Sequence, residues 1–275
     1  MTNSISVVLS IALLILLSSC KQPSQQTATQ EVTPEETVIE GKQVKPMKGE
    51  THSLDYCMGK FDPSKDERFV SVDQMYADRA GMLIRKEAYD AFLQMYAAAK
   101  QASVTLQIRS ATRNFNYQKG IWERKWKGDF TLSEAAKSST EVAEVEKAVE
   151  IMNYSAMPGA SRHHWGTDID LNSFVNSYFE SGPGLKVYEW LRQNAHAYGY
   201  CQPYTSKETG RTGYNEEKWH WSYTPLSDGM TAYVSTHMHD HDLQGFSGAA
   251  AAGKLSVVQR YVLGLDPSCL GKSAK

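Results

Sequence analysis

The chain has 275 residues, 41% hydrophobic and 22% charged, and its 29 basic residues nearly balance 31 acidic ones for a formal net charge of -2. That length allows one sizeable core with a tail rather than several large domains, and the charge balance leaves no electrostatic footprint for a nucleic-acid binder. A mean hydropathy of -0.47 excludes a polytopic membrane protein, and 11% aromatic residues exclude a wholly disordered one.

Residues Ile5 to Leu17 form an apolar run of signal-peptide length, too short for a comfortable membrane span. The run ends in Leu17-Ser18-Ser19-Cys20, which resembles the bacterial lipobox, so residues 1–20 are read as a lipoprotein signal with Cys20 lipidated. The stretch before it, Met1 to Ser6, departs from that pattern in carrying no Lys or Arg. An ordinary cleaved signal or an uncleaved anchor is the alternative. Acyl chains would hold the working domain on a membrane surface, facing an extracytoplasmic compartment. Residues 21–52 are rich in Gln, Thr, Pro and Glu and almost free of large apolar side chains, the composition of a flexible tether.

The globular part is expected from Ser53. Ala88, Phe92, Met95, Tyr96 and Ala99 recur at helical spacing and predict a helix over 85–101. Val104, Leu106 and Ile108 then alternate with polar residues as in a half-buried strand. A second helix is expected from Glu141 to Asn153, with Val142, Val145, Val149 and Met152 on its apolar stripe. Thr167 to Leu171 alternates again, placing Asp168 and Asp170 on one face and Ile169 and Leu171 on the other. A helix from Leu185 to Tyr198 should bury Val187, Trp190, Leu191 and Ala195 and stop at Gly199. Trp219 to Tyr223 reads as a short aromatic strand. These elements interleave without a regular strand-helix-strand repeat or a GxGxxG, which predicts an α+β fold. The boundaries expected are 53–226 for the domain and 227–275 for a helical extension packed on it.

Chemistry concentrates in Ser161-Arg162-His163-His164-Trp165-Gly166-Thr167-Asp168-Ile169-Asp170, where two imidazoles and two carboxylates flank a glycine that can turn the chain. A second cluster follows at Glu216-Glu217-Lys218-Trp219-His220-Trp221. Two imidazole nitrogens and one carboxylate oxygen are a normal ligand set for a catalytic zinc that keeps a fourth position open for water. A further carboxylate three residues before His220 stands where a general base could act.

Ser161, His163, Gly166 and Asp170 fill an SxHxxGxxxD spacing, Glu217, Trp219 and His220 an ExWH element, and Ser110 to Gln118 an SxxRxxxYQ segment. Three motifs in this order resemble the VanY-type D-alanyl-D-alanine carboxypeptidases, related to lysostaphin and the hedgehog domain. The resemblance implies a small antiparallel sheet flanked by helices and one zinc ion per chain, held by His163, Asp170 and His220. It makes Glu217 the base and Arg113 a stabiliser of the developing oxyanion or of the substrate's terminal carboxylate. Ser161, Gln118 and Trp165 join Arg113 as candidate substrate contacts. Asp168, where the family often has alanine, is read as support for a ligand, with a rival ligand or a group altering substrate choice as alternatives. The implied activity is removal of the terminal D-alanine from peptidoglycan stem peptides by a lipid-anchored monomer that binds no nucleic acid. An L,D-carboxypeptidase or dipeptidase of the same fold is the alternative within the class, and a non-catalytic peptidoglycan-binding lipoprotein the alternative outside it. A hedgehog-like adhesion module is disfavoured because structural zinc sites close all four positions.

Other histidines are read as structural or exposed, including His52, His164 and His196. His237-Met238-His239-Asp240-His241-Asp242 is metal-friendly in composition but lacks a framing strand, and is read as a solvated loop or an opportunistic binder. Gly248 to Leu255 misses a phosphate-binding loop because Leu255 stands where Ser or Thr is needed. The SxxK of serine D,D-peptidases occurs only at Ser18 to Lys21, and HExxH is absent. Cys57, Cys201 and Cys269 permit one disulfide, and Cys201 with Cys269 is the pairing preferred because it would tie the C-terminal segment to the core.

Overall fold

Four short strands build the sheet that carries the site, and the two central ones are buried on both faces. In the computed structural model, which describes residues 52–128 and 139–270, strands β3 (Ile108–Ser110), β4 (Asp168–Leu171), β5 (Tyr200–Cys201) and β6 (His220–Tyr223) pair in the order β3-β4-β6-β5, antiparallel throughout. A separate two-stranded ladder joins β1 (Phe69–Ser71) to β2 (Leu83–Arg85). Helices pack around these sheets, giving the α+β class expected. The signal segment with Cys20 and the tether as far as residue 51 lie outside the described residues. Among the described residues, no helix is long and apolar enough to cross a membrane.

Helix α1 (Leu54–Cys57) is capped by Ser53, whose hydroxyl accepts from the Tyr56 amide. Tyr56 then donates its hydroxyl to the Trp165 carbonyl at 2.8 Å, tying this first turn to the histidine segment. Helix α2 (Lys86–Gln101) buries Ala88, Ala91, Phe92, Met95 and Ala99. Phe92 and Met95 are fully enclosed, each worth about 1.5–3 kcal/mol of transfer free energy. Beyond it, Val104, Leu106 and Ile108 are buried in alternation as expected, but the ladder itself begins only at Ile108. Helix α3 (Phe115–Trp126) starts at Asn114, whose side chain caps the Tyr117 amide.

Helix α4 (Thr140–Ile151) corrects one expectation. Its buried residues are Ala148 and Ile151, followed by buried Met152, whereas Val142 and Val149 are exposed. The helix rests on α3 and on α7 (Ala251–Leu255), and those neighbours select the face, not the valines. Helix α5 (Gly182–Asn194) buries Val187 and Leu191, tightens into a 3-10 turn over Ala195–Tyr198, and stops at Gly199 in the left-handed region. Helix α6 (Thr224–His237) begins directly from β6 with proline in its first turn, so the boundary expected at 226/227 falls inside a helix. A disulfide joins Cys201 to Cys269 across a sequence separation of 68, with Cα atoms 5.7 Å apart. In the chain-entropy account, closing a loop of that length contributes roughly 4 kcal/mol.

Candidate metal centre

The register of β4 on β6 sets the site. Asp170 lies opposite His220 and Asp168 opposite Ser222, so all four side chains stand on one face of the sheet. His163 reaches the same face from a 3-10 turn, Arg162–Trp165, that ends at Gly166 with φ 76°. Only glycine fits there: a Cβ would lie 2.4 Å from Phe69 Cε1, besides the strain of a left-handed backbone. This reversal brings one ligand-type atom from each of His163, Asp170 and His220 within 4.8 Å of one another, all three residues buried.

Outer partners orient both imidazoles. His163 Nδ1 lies 2.8 Å from the Ala111 carbonyl, and because a carbonyl only accepts, Nδ1 carries the proton. Its Nε2 therefore faces Asp170 Oδ2 at 3.3 Å as a bare lone pair with no hydrogen-bond partner. His220 is turned the other way round. Its Nε2 lies 2.8 Å from Asp168 Oδ2, which leaves Nδ1 directed at Asp170 Oδ1 (3.3 Å) and Glu217 Oε2 (3.2 Å). Asp168 is itself held: Arg162 Nε reaches its Oδ2 at 3.2 Å, and the hydroxyls of Thr167 and Ser222 donate to Oδ1 at 2.7 Å.

The charges around these groups are strongly coupled. Burial alone would raise both aspartates, but Arg162 and His220 beside Asp168, and His163 and His220 beside Asp170, hold both carboxyls well below the usual range. Burial pulls His220 down, yet the carboxylates of Asp168, Asp170 and Glu217 outweigh it and push the imidazole well above its ordinary value. Burial and Arg113 draw His163 the opposite way. Three buried carboxylates face two guanidiniums and the His220 imidazole, and an added cation, displacing the His220 proton, would meet the unpartnered His163 Nε2 and Asp170 Oδ1. Two imidazole nitrogens and one carboxylate oxygen, each aimed by an outer hydrogen bond or strand register, could hold a zinc ion.

A cleft of about 300 Å³ opens beside these groups. Glu217 enters it from a turn closed by the His220 amide to its own carbonyl, 3.2 Å, and anchored by Gln202 Nε2 at the same carbonyl. Burial raises its carboxyl, offset in part by His220. Arg113 lies across from it, with Nη1 3.0 Å from Ser110 Oγ and 3.5 Å from Asp170 Oδ2. Ser161 and Gln118 also line the cleft, Gln118 donating Nε2 to the Ala156 carbonyl at 2.8 Å and leaving Oε1 unpartnered.

Trp165 is a correction: it does not line the cleft. Its indole donates to the Cys57 carbonyl at 3.0 Å and packs 4.4 Å from the Arg162 guanidinium, buried in the core. His164 is likewise enclosed, with Nε2 accepting from the Gly159 amide and Nδ1 against the Arg113 carbonyl, so both nitrogens are in use. The cleft also contains residues that no sequence pattern marked: Ile121 and Lys125 of α3, Tyr154, Ser155, Phe174, Tyr204 and Tyr214. Tyr204 packs its ring 4.9 Å from His220, and Tyr214 presents a buried, unpartnered hydroxyl. Both sit on a loop gathered by Arg211, which donates to the carbonyls of Thr205, Thr212 and Tyr214. Tyr214 lies three residues before Glu217, and that nearness was its only signal.

The family model described as VanY, D-alanyl-D-alanine carboxypeptidase, matches residues 81–226, the segment that holds all of these groups. YodJ of Bacillus subtilis is 30% identical over 144 residues, 51% of this chain and 46% of that one. A D-alanyl-D-alanine carboxypeptidase of Enterococcus faecalis is 27% identical over 143 residues, 50% of this chain and 47% of that one. The chain therefore spans about half the length of the curated relatives it matches. Among solved structures, VanYB in complex with D-alanine-D-alanine aligns with a TM-score of 0.44 at 24% identity, covering 62% of this chain and 90% of that one.

Proposed function

Because this chain belongs to the VanY family of D-alanyl-D-alanine carboxypeptidases, we propose that it is a zinc-dependent carboxypeptidase hydrolysing the terminal D-Ala-D-Ala bond of peptidoglycan stem peptides. The observation that carries this reading is Glu217: a buried carboxylate, raised by its burial, 3.2 Å from His220 and open to the cleft beside the two imidazoles and Asp170. A pure binding module has no use for a base in that position.

His163 Nε2, Asp170 and His220 Nδ1 would hold the zinc, with Asp168 fixing the His220 ring through Nε2. When bound, the ion supplies Lewis-acid activation of water and of the scissile carbonyl. Glu217 takes the proton of the attacking water on its carboxylate and returns it to the leaving amine, as its raised pKa suits. Arg113 directs Nη1 to the space beside Asp170, where the carbonyl oxygen gains charge; a well-placed donor of this kind is worth about 3 kcal/mol. Gln118 Oε1 and Tyr214 Oη present an acceptor and a donor that a bound peptide backbone would satisfy. The Cys201–Cys269 disulfide suits an oxidising, extracytoplasmic compartment, where such peptides occur.

The test is mass spectrometry of zinc-loaded and EDTA-stripped protein with a stem pentapeptide ending in D-Ala-D-Ala and, separately, the tetrapeptide. Loss of one alanine from the pentapeptide alone, abolished by EDTA, is the result expected. Loss from the tetrapeptide would move the enzyme to the L,D class, and no cleavage of either with zinc retained would reject the carboxypeptidase reading.

A further inference from the structure

Besides the histidines, three basic side chains line the cleft, and two of them are already committed. Arg162 spends its guanidinium on Asp168, Thr231 and Ser222, at 3.2, 3.0 and 2.7 Å. Arg113 is bound to Ser110 and lies 3.5 Å from Asp170, so its charge belongs to the metal end of the cleft. Lys125 is different. Its ammonium makes one hydrogen bond, 2.6 Å to Ser155 Oγ, and has no carboxylate within ion-pair distance among the described residues.

The position of Lys125 follows from helical geometry. Gln118, Ile121 and Lys125 are spaced three and four residues apart on α3, which puts them in a row along one wall of the cleft. Gln118 is buried at the inner end, and Lys125 is exposed at the outer end with its ammonium turned in toward Ser155. Loss of water around that end draws the ammonium below its ordinary pKa, with Glu217 opposing the shift and Arg113 adding to it. An ammonium offers three donors, and one hydroxyl satisfies a single one of them. The remaining donors of the Lys125 ammonium are left to take an anion that enters the cleft.

We propose that Lys125, seated on Ser155, forms an anion subsite on the α3 wall that binds a carboxylate of the peptide substrate. The assignment rests on the carboxypeptidase reading above and adds a division of labour to it: Arg113 serves the reacting carbonyl, and Lys125 anchors the peptide by its charge. Two carboxylates of a stem peptide could fill the subsite, the C-terminal one or one carried on the side chain of the third residue. Both make the same charge-assisted hydrogen bond, and the choice of peptides separates them.

The experiment measures binding and turnover separately, on the full zinc-loaded chain. Calorimetry on the Glu217→Gln protein, with and without Lys125→Met, compares three pentapeptides. One has a free C-terminus and a lysine third residue, one is the same with an amidated C-terminus, and one has a free C-terminus and a diaminopimelate third residue. Turnover of both free acids is measured in the protein with Glu217 intact. Lys125→Met is expected to weaken binding of the responsible peptide about 10-fold or more, raising KM with kcat nearly unchanged. Lys125→Arg, which keeps the charge, should recover most of the loss. A wild-type preference for free acid over amide that Lys125→Met erases assigns the C-terminal carboxylate. A loss confined to the diaminopimelate peptide assigns the side chain. Equal affinities with and without Lys125→Met on all three peptides would overturn the subsite, whatever the turnover. Lys125-dependent binding without wild-type cleavage would instead overturn the carboxypeptidase reading and leave the subsite standing.

Discussion

Among the described residues, two clusters bring two histidines and an acid within 4.8 Å, and they differ in what surrounds them. His163, Asp170 and His220 are buried, and each imidazole has its second nitrogen pinned, one by the Ala111 carbonyl and the other by Asp168. His239 and His241 expose 61% and 77% of their side chains, and Asp242 is occupied with capping the His239 amide. Proximity of ligand atoms is common to both. Orientation from outside and exclusion of water belong only to the first, and these are what distinguish a site that could do chemistry from a cluster of metal-friendly residues.

Two substitutions test that distinction where the effects are largest. Glu217→Gln keeps the size of the side chain and removes its proton acceptor, so kcat should fall by about 10²–10⁴ while zinc stoichiometry by mass spectrometry stays unchanged. Wild-type turnover in that variant, with metal bound, would break the role given to Glu217. Asp168→Asn should act more mildly. Asp168 touches none of the proposed chemistry directly, but it aligns His220 and receives Arg162, so its loss should weaken metal affinity about 10- to 100-fold. Titration against a zinc chelator measures this, and an unchanged affinity would mean that strand register alone orients His220.

Part of this contrast is legible in the sequence alone, and the reason is local. Asp168 and Asp170 share a face because strand side chains alternate, and Gly166 marks the reversal that lets His163 join them. What could not be read is whatever depends on a neighbour far along the chain. Trp165 is adjacent to the histidines in sequence yet points into the core, since consecutive residues of a 3-10 turn diverge in direction. Val142 and Val149 of α4 are apolar and correctly spaced, but α3 and α7 cover a stripe that takes in Val145 and Met152 and leaves those two out. Lys125, Ser155 and Tyr204 come from three separate segments whose meeting no periodicity encodes.

His164 sharpens the comparison through pH. It sits beside His163, but its ring is enclosed, and burial pulls its pKa from 6.5 to about 3. The Gly159 amide donates to Nε2, so a proton there would set two donors against each other. A folded pKa below the unfolded one means that the native state excludes a proton the unfolded chain accepts. This contribution to stability is therefore complete above pH 6.5 and is lost as the pH falls toward 3, at a slope approaching 1.4 kcal/mol per unit for the one proton. Gln in its place can donate to the Arg113 carbonyl and accept from Gly159 without titrating. Urea denaturation from pH 4 to 7 should show the wild-type protein losing stability more steeply than His164→Gln, and parallel curves would refute the assignment.

The smallest expected effect concerns the exposed cluster. His239→Gln with His241→Gln removes both imidazoles from a surface where they stack on each other at 5.2 Å and are not enclosed. The turn is closed by a reciprocal cap: Asp242 receives the His239 amide, which the substitution keeps, the His239 ring receives the Asp242 amide, which a Gln side-chain oxygen can also accept, and Asp240 receives the amide of Val258 at 2.8 Å. Folding free energy should move by no more than about 0.5 kcal/mol, as for surface positions in general. Turnover, and the one zinc per chain that the proposed function requires, should be unaffected. A twofold or greater loss of kcat/KM, or a fall in tightly bound zinc, would show that the exposed histidines take part in the working site, and the difference drawn between the two clusters would have to be given up.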